Sequence, residues 1–367
     1  MDKKINLFLD IHSIITLEAY DLNEEVASRL HKFFGLFLTE NKPGSKPDIV
    51  MTILQDVEAG VLEHKSKDPA QFWIREHKDG ACIVLGYKQR PDIAIILSNP
   101  IKILYTPRPG YFGALYYAII HGIQFALLKK NGLLYHGLVL KYNTLPMLIV
   151  GPEGIGKSPL ALHMLHNGCD YLSEDKFIFL NREAYIFRPY MPIRKHHMNM
   201  FPEILTSIYN SQSKKTSKFW LRKFIEKLVG ISFIKNNLPA QLHEKIKQAI
   251  DPPVFALIRD IFPNVQVLNS VHPEIAVMII NAKEQSFVEI SREEFAERAK
   301  TLYWMAFPEI DNILKLLSLH GYDYHTKMNA LIHRNTDNLR CFKMTLPYSS
   351  DIKQMHENFR ISILSMR

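Results

Sequence analysis

The sequence predicts an α/β fold in two parts: a smaller N-terminal α/β module over residues 1–105, and a larger domain over 106–367 with a basic insertion at about 198–250. Three observations lead there. Short apolar runs of strand length alternate with segments of helical spacing. One such run enters a glycine-rich turn and leaves it as a helix. The chain has 367 residues, of which 47% are hydrophobic, enough for a large core and for two domains of ordinary size.

The elements follow in order. Ile5–Leu9 has the pattern of a strand. Val26, Leu30, Phe33, Phe34 and Phe37 recur at helical spacing, and Asn23 stands where a cap belongs, so a helix is expected over Asn23–Phe37. Asn41–Pro47 reads as a turn. Asp48–Leu54, Ala81–Leu85 and Ile93–Leu97 are further strands. Pro107–Gly110 punctuates, and a helix over Tyr111–Lys129 follows, ended by Asn131-Gly132. Its apolar stretch, Ala114–Leu128, is shorter than a bilayer-spanning helix and reads as buried. Leu133–Leu140 and Pro146–Val150 are expected to pair antiparallel around the turn Lys141–Leu145.

Leu145–Val150 runs into Gly151-Pro-Glu-Gly-Ile-Gly-Lys-Ser158, the pattern G-x-x-x-x-G-K-S, and then into a helical segment, Pro159–His166. Glycines let such a loop fold with its N–H groups pointing inward, and the helix behind it adds a positive N-terminal end. Pro159 falls in the first turn, where a missing N–H costs little. A phosphate-binding loop is therefore expected, in preference to a glycine-rich turn that matches the pattern by chance. Gly151, Glu153, Gly154, Ile155, Gly156, Lys157 and Ser158 are the candidate contacts to ATP. Lys157 would reach the β- and γ-phosphates and Ser158 would hold Mg²⁺.

Beyond the loop, Asn167-Gly168 stops the helix and Ser173-Glu174-Asp175 follows. Phosphoryl transfer needs one carboxylate near the acceptor hydroxyl and another on the metal. An acid pair at a strand edge meets both needs, although a solvated turn has the same composition. Phe177–Leu180 and Ala184–Phe187 form a hairpin around Asn181–Glu183. Arg188–His197 is a proline-broken loop. Arg188, Arg194 and Lys195 are candidates for stabilising a transferring phosphoryl group. His196 and His197 point to opposite faces if extended, which argues against a joint metal site. Val265–Leu268 and Ala276–Ile280 are expected strands, and Arg292 to about Ser318 alternates helical patterns with turns.

If the hairpin register is regular, His136 falls opposite the last residue before Gly151, beside the phosphates. A one-residue slip would reverse its face.

The order His136-Gly137, hairpin, G-x-x-G-x-G-K-S, Ala-Leu-rich helix, glycine and acid pair resembles the HPr kinase/phosphorylase family and its looser kinase-like relatives, over about Leu133–Lys195. The resemblance implies a P-loop core of the HPr kinase/PEP carboxykinase type and an ATP-dependent transfer to a hydroxyl. It places Asp175 on the acid that acts as base, Glu174 on a metal-associated position and His136 on the histidine flanking the active site. Pro192-Ile193-Arg194 is similar to a Pro-x-Arg motif of the broader relatives. The family's acid pair is usually Asp-Asp; here it is Glu-Asp. The Glu-x-Arg-Gly-x-Gly signature of true HPr kinases has no counterpart. The looser relatives include kinases acting on a serine of ribosomally made peptides, so a peptide or protein acceptor is expected. A nucleotide-binding regulator without turnover, and a kinase for a small molecule or RNA, are the alternatives.

Other phosphate-loop classes fit less well. The chain lacks the Asn/Thr-Lys-x-Asp motif of regulatory GTPases. Phe177–Leu180 ends in Asn181 where a transporter ATPase would have Asp.

Net charge is +8, but nine bases against two acids between Ser211 and Ala249 hold nearly all of it. Global nucleic-acid binding is therefore not implied. Lys218–Val229 has the spacing of a basic amphipathic helix. It would grip an acidic peptide acceptor, lie on an anionic membrane surface, contact RNA phosphates, or pack on the core with its lysines solvated. Its position favours the acceptor grip. Three scattered cysteines, with no C-x-x-C pair, argue against a disulfide framework or zinc site and for a reducing cytoplasm. The apolar run in Met1–Leu9 is too short for a secretory signal, so none is expected there, and a homo-oligomer is compatible with the sequence.

Overall fold

The computed structural model describes residues 4–53, 72–87, 90–106, 112–194, 197, 200–202, 208, 254–347 and 352–364. The fold is mixed α/β.

The first sheet has eight strands. β1 (Ile5–Ile11) and β2 (Ile15–Leu22) form a hairpin across His12-Ser13. Both turn residues have φ near +57°, as a tight hairpin with the strand twist requires. α1 (Glu24–Phe34) starts where expected: the Asn23 side chain accepts the Val26 N–H at 2.9 Å, with Glu24 and Glu25 in the first turn. β3 (Leu38–Thr39), β4 (Ile49–Ile53), β5 (Phe72–His77), β6 (Gly80–Tyr87), β7 (Arg90–Ile96) and β8 (Ile101–Tyr105) complete the sheet. Its order is β3-β1-β2-β4-β8-β7-β6-β5, parallel only where β4 meets β2 and β8.

α2 (Phe112–Lys129) is apolar nearly all round and is buried accordingly. Gly122 lets it approach the first sheet closely, since a Cβ there would lie 2.9 Å from the Ile103 side chain. On its other side α2 packs on β9 (Gly132–His136). One continuous apolar core therefore runs from the N-terminal sheet through α2 to the second half of the chain.

That half holds β10 (Leu138–Tyr142), β11 (Leu145–Val150), α3 (Lys157–His166), β12 (Asp170–Ser173), β13 (Lys176–Leu180), β14 (Glu183–Ile186) and β15 (Tyr190–Ile193). After the basic insertion come β16 (Val254–Leu257), α4 (Ile258–Ile261), β17 (Ser270–Val271), β18 (Ile275–Ala282), β19 (Ser286–Glu289), α5 (Arg292–Ala306), α6 (Pro308–Leu319), α7 (Tyr324–Thr336), β20 (Arg340–Pro347) and α8 (Ile352–Leu364). A six-stranded mixed sheet has the order β12-β10-β11-β18-β20-β19, with β11, β18 and β20 parallel. β11 and most of β18 are buried on both faces, which is why they read as unbroken apolar runs. α3 and α8 pack together over one face of this sheet around a second core cluster. A four-stranded antiparallel sheet, β17-β14-β13-β9, lies against the first core. β15 and β16 pair by themselves.

Four expectations are corrected. Leu133–Leu140 is not one strand: it breaks at Gly137, and its halves belong to different sheets. The hairpin pairs only Leu138–Tyr142 with Leu145–Ile149, with Asn143 at φ +56° in the turn. The Arg188–His197 loop contains β15. Val265–Leu268 forms a single parallel bridge, Val267 to Tyr171: the Gln266 carbonyl accepts the Tyr171 N–H and the Leu268 N–H donates to the Tyr171 carbonyl, while the Val265 N–H turns back to Phe262. Pro107–Gly110, Lys195, His196 and the basic segment 211–249 lie outside the described residues. Cys82, Cys169 and Cys341 are buried and free. Among the described residues no helix is long and apolar enough to cross a membrane.

Candidate functional site

The glycine loop takes its shape from the end of β11. A Cβ at Gly151 would lie 2.7 Å from the Ile279 carbonyl oxygen of β18 and 3.1 Å from the Ile155 side chain, so only glycine lets the strand turn there. Gly154 and Gly156 take φ of +79° and +102°. Gly156 caps α3, whose first N–H groups have no acceptor within the helix. Ile155 points into the core, and its N–H donates to the Pro152 carbonyl at 3.4 Å. Glu153 is exposed. Lys157 is buried at 8% exposure and reaches back to the strand end of the loop. Its Nζ donates to the Gly151 and Pro152 carbonyls at 2.7 and 3.0 Å. An ammonium has three donors, so one remains for a ligand.

The acid pair fills the turn between β12 and β13. Glu174 faces the start of α3, where the Ser158 hydroxyl donates to its Oε1. Its Oε2 is buried and has no hydrogen-bond partner. Burial pushes the Glu174 carboxyl up to about 8; the Ser158 hydroxyl opposes this, the Asp175 charge adds to it, and Lys157 and Lys176 oppose it. A buried carboxyl group with one oxygen lacking a donor, and the other accepting from a serine hydroxyl, is a donor set that suits a hard divalent cation. Among the described residues no three His, Cys, Asp or Glu gather to hold a metal by themselves. Mg²⁺ commonly takes one or two protein ligands and draws the rest from phosphates and water, so Ser158 and Glu174 fit it.

The raised carboxyl has a consequence for the free protein. A group whose pKa rises on folding stabilises the fold while protonated, and that stability is lost as pH climbs through the folded value. Glu174→Gln keeps the acceptor for Ser158 and removes the titration. The variant is expected to gain on wild type as pH rises from about 4.5 to about 8, then to level off. Thermal unfolding across that range, without metal or nucleotide, checks this; a constant difference would contradict it.

Asp175 stands on the other side of the pair, its side chain 31% exposed. Lys176 Nζ lies 2.9 and 3.1 Å from its two oxygens, Arg188 Nη1 3.2 Å from Oδ2, and His136 Nε2 3.6 Å from Oδ1. Burial would raise the Asp175 carboxyl, but Lys176, by its charge and its hydrogen bonds, and Lys157 hold it below its usual range. Burial lowers the His136 imidazole well below its ordinary value; Asp175 opposes this, and Lys157 and Lys176 add to it. The free site thus holds an ionised Asp175 beside a neutral His136.

His136 reaches Asp175 by a route the hairpin register did not foresee. It ends β9 and pairs with Lys176 of β13, not with β11. Gly137 then carries the chain into the six-stranded sheet. Its N–H donates to the Asp175 carbonyl at 3.1 Å, and a Cβ there would sit 3.1 Å from the Ile149 carbonyl oxygen. One glycine therefore ties His136, Asp175 and the strand feeding the loop.

The site gathers Lys157, Ser158, Glu174, Asp175 and His136. Arg194 follows β15, half-buried, and its N–H donates to Nδ1 of the buried His197 at 3.2 Å. The arginine seen on Asp175 is Arg188. Lys176 was not foreseen, nor were the rings behind these cations: Tyr116 beneath Arg188 at 5.1 Å and Phe307 beneath Lys176 at 5.6 Å. The available signal was the position of Lys176, directly after the acid pair and at the head of a strand. No family model matches this chain, and no curated protein matches it.

Proposed function

We propose that this chain is an ATP-dependent phosphotransferase that moves the γ-phosphoryl group to a hydroxyl, a serine of a peptide or protein being the acceptor class. The carrying observation is the buried, unpaired Glu174 oxygen beside the Ser158 hydroxyl, one residue from Asp175 and next to the glycine loop. In this reading the loop is a P-loop. The open N–H groups at the start of α3 and the remaining donor of Lys157 hold the β- and γ-phosphates. Ser158 and Glu174 hold Mg²⁺, which supplies charge neutralisation when bound. Asp175 accepts the proton of the attacking hydroxyl, and His136 orients or shares it. Arg188, with Arg194 as the candidate from the Pro-x-Arg motif, stabilises charge on the phosphoryl group. The basic segment 211–249 grips the acceptor. Three buried free cysteines suit a reducing cytoplasm.

Incubation with γ-labelled ATP, Mg²⁺ and cell extract tests this. Label is expected on a hydroxyl of a peptide or protein. Thermal stabilisation by ATP with neither transfer nor hydrolysis would instead mark a nucleotide-binding regulator.

A further inference from the structure

Lys176 opens β13, and its register partner is His136 of β9. Partners in an antiparallel pair project to the same face, so both side chains stand together beside Asp175. The Lys176 ammonium is held from two sides. It bonds both Asp175 oxygens, and it lies 5.6 Å from the centroid of the Phe307 ring. The same ring meets the His136 imidazole edge-on, centroids 6.3 Å apart at 84°. Phe307 occupies the corner between α5 and α6 and packs at 4.9 Å on the buried Tyr303.

Charge counting separates two roles for this lysine. Asp175 carries one negative charge, yet Lys176 and Arg188 both touch it and Lys157 acts on it from the loop. One cation would neutralise it. Lys157 belongs to the glycine loop itself, and Lys176 also acts on Glu174, which accepts from Ser158 at the end of that loop; a phosphoryl group in transfer carries its negative charge at such a loop. A carboxylate gripped by two cations is also a poor proton acceptor until one leaves.

We propose that Lys176 is a further catalytic residue, whose ammonium passes from the Asp175 carboxylate to the oxygens of the transferred phosphoryl group. This rests on the phosphotransferase reading above. In the step, the acceptor oxygen forms a bond to the γ-phosphorus. The bond from that phosphorus to the β–γ bridging oxygen breaks, its electron pair leaving with ADP. The acceptor proton goes to Asp175. Lys176 keeps its own protons and supplies charge only. Phe307 is a positioning residue that limits where the ammonium can swing.

The test compares wild type, Lys176→Met, Lys176→Arg and Phe307→Leu. Binding of ADP and of ADP with aluminium fluoride, a mimic of the transferring group, is measured with Mg²⁺ and water in the acceptor's place. ATP hydrolysis and the thermal midpoint are recorded for each. Lys176→Met is expected to bind ADP as wild type does and the fluoride complex about 10²–10³-fold more weakly, with hydrolysis falling alongside. Lys176→Arg recovers most of the loss, and Phe307→Leu falls between. Fluoride tightening that survives Lys176→Met overturns the role of Lys176 alone. An equal loss of ADP and fluoride-complex affinity also overturns it, since that marks a structural lysine. Absence of tightening in wild type overturns the phosphotransferase reading, and this role with it.

Discussion

Asp175→Asn is expected to slow phosphoryl transfer by about 10²–10⁴-fold while leaving Mg·ATP binding largely intact. The asparagine keeps the shape of the side chain and loses its capacity to accept a proton. The contacts expected to hold the nucleotide lie elsewhere, on Lys157, Ser158 and Glu174, so affinity and rate should separate. The substitution also leaves Lys176 and Arg188 without their shared anion. Added positive charge beside the triphosphate works for binding rather than against it. Single-turnover transfer and a nucleotide titration on the same preparation check both halves. Full activity in the variant would remove Asp175 as the base, and a parallel loss of binding would make it part of the nucleotide site.

Gly151→Ala is expected to lower stability by about 1–3 kcal/mol and to impair triphosphate binding together. The new methyl would meet the Ile279 carbonyl oxygen at 2.7 Å, a backbone atom in the parallel centre of the mixed sheet, and Ile155 at 3.1 Å. β18 is held by β11 on one side and β20 on the other, so it cannot retreat. The loop must move instead, carrying the start of α3 with it. Gly154→Ala is the contrasting case. Nothing lies within 4 Å of a Cβ there, and the strain comes only from φ of +79°. Its cost is expected to stay within about 1–2 kcal/mol. Denaturant unfolding of the two variants, beside a titration with Mg·ATP, tests the ordering. Equal effects would show that loop conformation, not the crowding against β18, sets the site.

Much of this site is local, which is why it could be read. The strand, loop and helix from Leu145 to His166 are consecutive, and each residue type there has one geometric use. The Asn23 cap, the Asn131-Gly132 stop and the Asn181-Arg182 turn, at φ +51° and +66°, are local signals of the same kind. The acid pair was visible as composition, and its two sides separate only in three dimensions, Glu174 toward Ser158 and Asp175 toward the cations.

What escaped the sequence is non-local. An apolar run passes through Gly137 without a change of pattern, yet the chain changes sheets there. Gly137 there approaches the Ile149 carbonyl closely, a contact that no neighbour in sequence announces. β20 joins β18 in parallel from far along the chain, a pairing with no short-range turn to mark it. β15 pairs with β16 across the whole basic insertion. Val265–Leu268 had strand composition without a strand partner beyond one bridge. Lys176 is one lysine among many until its pairing with His136 puts it on Asp175.

The most direct measurement is a crystal structure with Mg²⁺ and a non-hydrolysable ATP analogue. The account predicts β- and γ-phosphates on the N–H groups opening α3, the cation between Ser158 and Glu174, and the γ-phosphorus facing Asp175. A nucleotide bound elsewhere, or phosphates in the loop with Glu174 and Asp175 turned from them, would contradict it.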